Sequence, residues 1–147
     1  MALYYLNSGI NKIRKAIQNF DSEEYIQTKH IFSFKYKYPL FKRRDESKRL
    51  LTKYPDRIPI IVEINFRCKE FNDISHFKIL IPNNFSVSHI IFHIRRKLQI
   101  NPSESIYLFS EDNTMFSPSI TVQEAYTTYK NIDGLLYISV SKENVFG

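Results

Sequence analysis

From Ile58 to Asn65 the chain reads Ile-Pro-Ile-Ile-Val-Glu-Ile-Asn, a β-prone run with apolar residues at both phases of its alternation. Successive side chains of a strand point to opposite faces. Ile58, Ile60, Val62 and Ile64 therefore share one face, and Pro59 and Ile61 lie on the other beside Glu63. A strand that is apolar on both faces needs cover on both. One side meets the main core, and the helices expected just before the strand are the natural lid for the other.

Those helices are legible from spacing and proline. Phe34-Lys35-Tyr36-Lys37-Tyr38-Pro39 reads as a short helical turn broken at Pro39. Leu40 to Lys53 reads as a second helix, with Leu40, Phe41, Leu50 and Leu51 apolar and Pro39 favourable at its first turn. Tyr54-Pro55 ends it, because the residue before a proline is pushed out of the helical region.

After a polar connection at 66–75, His76 to Ile81 is a second strand closed by Pro82. Asn83 or Ser86 starts a helix to about Leu98, with Val87, Ile90, Ile91, Ile94 and Leu98 inward. Its last turn carries Arg95-Arg96-Lys97, where cations suit the helix dipole. A third strand covers Ser105 to Ser110, Glu111-Asp112-Asn113 turns the chain, and Val122 to Lys130 forms a last helix. Asp133-Gly134 turns into a final strand over Leu135 to Val140. The order helix-helix-β-β-α-β-α-β predicts an α+β fold on the β-grasp plan of ubiquitin, with two N-terminal helices in front.

Residues 1–33 read as a separate N-terminal extension. Ile10, Ile13, Ile17 and Phe20 recur at helical spacing among Lys12, Arg14 and Lys15, and Asn7 or Ser8 suits the cap. This is the pattern of a short basic amphipathic helix. Docking on the domain, lying on a membrane surface and serving as a transit-like leader all fit it. Residues 34–147 form the single domain, since 147 residues suit one core and not two.

Charge is concentrated. Residues 34–57 hold nine Lys/Arg against three Asp/Glu, a net +6 that equals the formal charge of the whole chain. Such a surface attracts acidic peptides, anionic headgroups or nucleic acid, but the aromatic residues show no RNA-binding pattern, so no specific nucleic acid is expected. No apolar run has the length of a membrane span, and no secretory h-region is present. One cysteine, Cys68, excludes an intramolecular disulfide and suits a reducing, cytoplasmic setting. His30, His76, His89 and His93 lack ligand spacing with carboxylates or cysteine, so neither a metal nor another cofactor is expected. Cys68 has no evident partner base, and no catalytic constellation appears.

The sequence closes on Glu143-Asn144-Val145-Phe146-Gly147. A glycine there leaves its carbonyl uncrowded by a side chain, as suits a carboxylate that must be activated. Together with Tyr38-Pro39, Lys42-Arg43, Glu46-Ser47, Arg49, Tyr54-Pro55-Asp56-Arg57-Ile58-Pro59 and Asp133-Gly134-Leu135-Leu136-Tyr137, this ending resembles the GABARAP-type autophagy modifiers, relatives of the microtubule-associated protein light chains. The resemblance runs from about Phe34 to Gly147.

The resemblance implies a ubiquitin-like modifier, not an enzyme, whose Gly147 is passed between activating and conjugating enzymes and then amide-linked to phosphatidylethanolamine. Phe146 matches the aromatic read by the family's processing and delipidating cysteine protease. Most members carry residues beyond this glycine. Their absence here fits either the processed form or a gene that ends at this position. The implied setting is the cytoplasm and, after lipidation, the autophagosome or another organelle membrane.

The resemblance further implies recruitment of cargo receptors and adaptors through aromatic-x-x-aliphatic motifs added as a strand. The aromatic pocket would use Glu46, Leu50, Pro59, Ile61, Lys78, Leu80 and Leu135. The aliphatic pocket would use Ile79, Ile81, Pro82, Phe85, Ile90 and His93, while Arg57 would meet acidic flanks. Leu135 stands where the family usually has phenylalanine, and His93 where it has a small aliphatic. His76 and Phe77 occupy positions that are commonly basic. An unlipidated β-grasp adaptor in vesicle trafficking or on the cytoskeleton is the alternative.

Overall fold

The computed structural model describes residues 33–64 and 76–142. The expected N-terminal helix, Cys68, Phe146 and Gly147 lie outside these residues. In chain order the elements are α1 (Ser33–Lys37), α2 (Leu40–Lys53), β1 (Arg57–Ile64), β2 (His76–Pro82), α3 (Val87–Leu98), β3 (Tyr107–Phe109), α4 (Val122–Tyr129) and β4 (Leu136–Ser141).

The sheet order is β2-β1-β4-β3, with β1 and β4 parallel at its centre and both outer pairings antiparallel. β1 is thus the two-faced central strand its sequence demands. Ile58, Ile60 and Val62 enter the main core with Phe77, Ile79 and Ile81 of β2, Leu136, Ile138 and Val140 of β4, and Val87, Ile90, Ile94 and Leu98 of α3. On the opposite face Ile61 packs with Phe34, Leu135 and Tyr137, and Tyr38 lies against this smaller cluster. α1 and α2 are the lid.

Local chemistry sets the helix ends. Pro39 is the N-cap of α2 and not a member of its first turn; its extended backbone presents a carbonyl to the Arg43 N–H at 3.1 Å. Thr121 and Glu124 form a reciprocal cap on α4. At the start of α3, His89 Nδ1 accepts from the Ser86 N–H at 3.2 Å, so a histidine fills the role usually taken by Glu or Gln.

The boundaries of β3, α4 and β4 differ from expectation for identifiable reasons. β3 is shorter than 105–110: Ser110 leaves the β4 ladder to accept Asn113 N–H and to bond Thr114, in a turn where Asn113 has φ 64°. Asn tolerates that left-handed backbone better than most residues. α4 ends at Tyr129, with Lys130 already extended as its C-cap. β4 begins at Leu136 because Leu135 is still held in the preceding turn. Its N–H donates to Asp133 Oδ1 at 2.8 Å, and its carbonyl accepts from Asn131 N–H at 2.9 Å. Phe41, expected with the apolar face of α2, is 53 % exposed. No helix among the described residues is long and apolar enough to cross a membrane.

Candidate functional site

β2 pairs only with β1 among the described strands, so its outer edge is open to another strand. The register puts Lys78 opposite Ile61 and Leu80 opposite Pro59 on the lid face. Phe77, Ile79 and Ile81 stand opposite Val62, Ile60 and Ile58 on the core face. One edge thereby borders two differently built surfaces. Arg57 Nη1 donates to the Leu80 carbonyl at 3.4 Å, which ties it to this strand.

On the lid side a cavity of about 430 Å³ is lined by Phe34, Tyr38, Lys42, Arg43, Asp45, Glu46, Arg49 and Lys78. Of the expected aromatic-pocket residues, only Glu46 and Lys78 line it. Leu80 is half-buried, Leu50 and Pro59 are buried, and Ile61 and Leu135 are wholly enclosed. The last two have no surface for a ligand in this conformation; they pack the lid cluster. The lining aromatics were not anticipated as site residues. The i,i+4 spacing of Phe34 and Tyr38, whose rings lie 4.9 Å apart, was the available signal.

Glu46 organises the charges at this cavity. It accepts from Arg49 Nη2 at 2.8 Å and Lys78 Nζ at 2.5 Å. These donors hold its carboxyl at about 2, against an ordinary 4.5. A ligand carboxylate arriving here meets two cations already oriented by one acid.

Behind the cavity lies a buried polar network. Asp133 is 1 % exposed; its Oδ2 accepts from Arg43 Nη1 at 2.6 Å and from the Tyr137 hydroxyl at 2.5 Å. Arg43 Nε also donates to the Tyr38 carbonyl at 3.1 Å, linking α1 to α2. Burial, then the bond to Asp133, pushes the Tyr137 phenol far above its usual range, so it stays a donor. Burial works to lower the Arg43 pKa, but its bonds to Tyr137 and Asp133 outweigh that and raise it. The Ser47 hydroxyl donates to the Asp133 carbonyl. Gly134, at φ +87°, sits where a Cβ would come within 2.6 Å of Ser47 Oγ. Arg43, Ser47, Asp133, Gly134 and Tyr137, widely separated in sequence, thus make one structural joint.

On the core side Ile90 is wholly enclosed and Ile79 and Ile81 are nearly so. Pro82 is half-buried, whereas Phe85 and His93 are exposed. The structure therefore divides the expected aliphatic pocket into a buried wall and three accessible residues. His89, not anticipated here, stacks on Phe85 with ring centroids 4.6 Å apart. A second depression, of about 460 Å³, is lined by Phe92, His93, Arg96 and Lys97. No cluster of three or more metal-ligating side chains occurs among the described residues.

The family model described as "Autophagy protein Atg8 ubiquitin like" matches residues 42–147. The chain is 40 % identical over 119 residues to Autophagy-related protein 8 of Dictyostelium discoideum, covering 80 % of this chain and 96 % of that protein. It is 37 % identical over 118 residues to Autophagy-related protein 8d of Arabidopsis thaliana, with the same coverage. The crystal structure of Trypanosoma brucei ATG8 superposes with a TM-score of 0.67 at 25 % identity, covering 78 % of this chain and 97 % of that one. The β-grasp topology, the open β2 edge and these matches together make the chain a member of the Atg8 family of autophagy ubiquitin-like modifiers.

Proposed function

We propose that this modifier is joined through Gly147 to phosphatidylethanolamine and, once on the membrane, recruits cargo receptors and adaptors at the β2 edge. The observation that carries the recruitment reading is that edge, with Lys78 and Leu80 on one face and Ile79 and Ile81 on the other. The two anchors of an aromatic-x-x-aliphatic segment are three residues apart, so when it is added as a strand they point to opposite faces, into pockets on the two faces of β2. Glu46, Lys78 and Leu80 border the first pocket, with Leu50, Pro59, Ile61 and Leu135 as its packed base. Pro82, Phe85 and His93 border the second, backed by Ile79, Ile81 and Ile90. Arg57 and Lys78 supply cations for acidic flanks, and the basic 34–57 segment steers their approach.

The chain itself performs no catalysis in this reading. Activating and conjugating enzymes act on Gly147, a cysteine protease that recognises Phe146 reverses the linkage, and the lipidated pool resides on the autophagosome membrane. The test is the mass of the C-terminal peptide recovered from membranes of cells expressing the native gene. A phosphatidylethanolamine adduct on Gly147 is expected. A free carboxylate on all membrane-bound protein would overturn the conjugation reading and leave an unlipidated peptide-binding adaptor.

A further inference from the structure

The outward face of α3 carries an exposed aromatic among cations. Val87, Ile90, Ile94 and Leu98 point into the core. Phe92 stands outward at 61 % exposure, with the Arg96 guanidinium 5.9 Å from its ring centre. Lys97 lies 4.7 Å over the Phe77 ring at the rim of β2. The depression bounded by Phe92, His93, Arg96 and Lys97 contains no carboxylate. From His76 to Ser110 the only acidic residue is Glu104, and that side chain is paired with Lys142 at 2.8 Å.

That pair also locates the face. Arg95 donates to the Glu104 carbonyl at 2.7 Å and the Asn101 carbonyl at 3.1 Å. The C-terminal turn of α3 is thereby tied, through the 101–104 turn, to Lys142 just beyond β4. Gly147 is five residues further on, a reach of at most about 18 Å even when fully extended. A lipid attached at Gly147 holds this end of the domain, and with it Arg96 and Lys97, within reach of the bilayer.

We propose that the α3 face carrying Phe92, Arg96 and Lys97 is a second membrane contact, which rests against anionic phospholipid headgroups when the chain is tethered through residue 147. An exposed aromatic flanked by cations suits the headgroup boundary: the ring enters the interface while the cations meet phosphate and carboxylate. Its place beside the end of the domain that carries the tether favours a lipid surface over an acidic peptide. The contact fixes the orientation of the domain on the bilayer, so that residue 147 is an anchor with a preferred lie and not a swivel.

The proposal rests on the conjugation reading for the tether alone, and the tether can be supplied chemically. A full-length Cys68→Ser/Gly147→Cys chain is coupled to a maleimide phospholipid in vesicles, which bypasses every conjugating enzyme. The chain has no tryptophan, so Phe92→Trp in this background reports from the face itself. On phosphatidylcholine vesicles containing phosphatidylserine, its emission should shift to shorter wavelength and be quenched by brominated acyl chains. Salt should weaken both effects, and Arg96→Glu/Lys97→Glu should return both to their values on phosphatidylcholine alone. The equal charge change Lys48→Glu/Lys53→Glu, on α2, should leave them intact. Emission typical of an exposed indole on the anionic vesicles would overturn the proposal. So would equal loss in the two charge-reversal variants, or a shift produced by soluble polyglutamate and not by vesicles, which would mark an acidic-protein surface.

Discussion

The two sides of the central sheet are held by different physics. Toward α3 and α4 the contact is a continuous hydrocarbon core, from Ile58 and Ile60 to Ile94 and Val140. Toward α1 and α2 a small aromatic cluster is joined by a buried carboxylate, Asp133, with Arg43 and Tyr137 bound to it. Apolar packing is tolerant of chemistry and sensitive to volume. A buried ion pair is the reverse: removing one partner strands the other charge away from water. The lid therefore depends on a few polar atoms, and the cavity lined by Glu46 and Lys78 lies on that side.

Asp133→Ala tests this contrast hardest. It leaves Arg43 and the Tyr137 hydroxyl without their acceptor, and a loss of about 3–5 kcal/mol is expected in urea unfolding. A loss below about 1 kcal/mol would mean the lid is held by apolar contact like the core.

Gly134→Ala probes the same joint sterically. The left-handed backbone costs an alanine about 1–2 kcal/mol, and contact with Ser47 Oγ adds to it. Adding Ser47→Ala should relieve the contact part. A double-mutant cycle showing no coupling would separate the turn from α2.

Leu80→Ala sharpens the comparison at the edge itself. Leu80 stands on the lid face of β2 and is half-buried, so peptide affinity should fall by about 1–3 kcal/mol while the unfolding midpoint changes little. Ile79→Ala, one residue away on the core face, should do the opposite and destabilise first. Similar behaviour of the two would erase the two-faced assignment.

The smallest effect is acid titration of the Glu46 cluster. Folding lowers the Glu46 pKa from 4.5 to about 2. Its contribution is thus complete above 4.5 and is lost as pH falls toward 2. The cluster is at the surface, so only about 0.2–1 kcal/mol is at stake. The difference in stability between wild type and Glu46→Gln should shrink over that range, and a constant difference would place the effect elsewhere.

Much of this was legible beforehand, because it depends on local pattern. Helical spacing and the two prolines bracketed α2 at Leu40–Lys53, and the apolar period carried the next helix to about Leu98, while the choice between Asn83 and Ser86 as its start was decided for Ser86 only in the structure. The shortness of β3 was not legible: Tyr107, Leu108 and Phe109 look like their neighbours, and only the position of Ser139 to Ser141 beside them limits the ladder. Site residues divide in the same way. Alternation along His76–Ile81 puts Lys78 and Leu80 on one face whatever surrounds the strand, but whether Ile61 and Leu135 are open or sealed depends on Phe34 and Tyr137 closing over them.

What the sequence alone determined is the set of elements and the two-sidedness of β1, since a period of two puts isoleucine on both faces whatever surrounds the strand. Only the tertiary structure decided that Asp133 is an interior anion. Its burial is tolerable because Arg43, ninety residues earlier, arrives with a guanidinium at 2.6 Å, and the Tyr137 hydroxyl and Leu135 N–H complete its hydrogen bonds. No local pattern encodes that meeting, because the cost of burying a charge depends on which partner the fold brings to it.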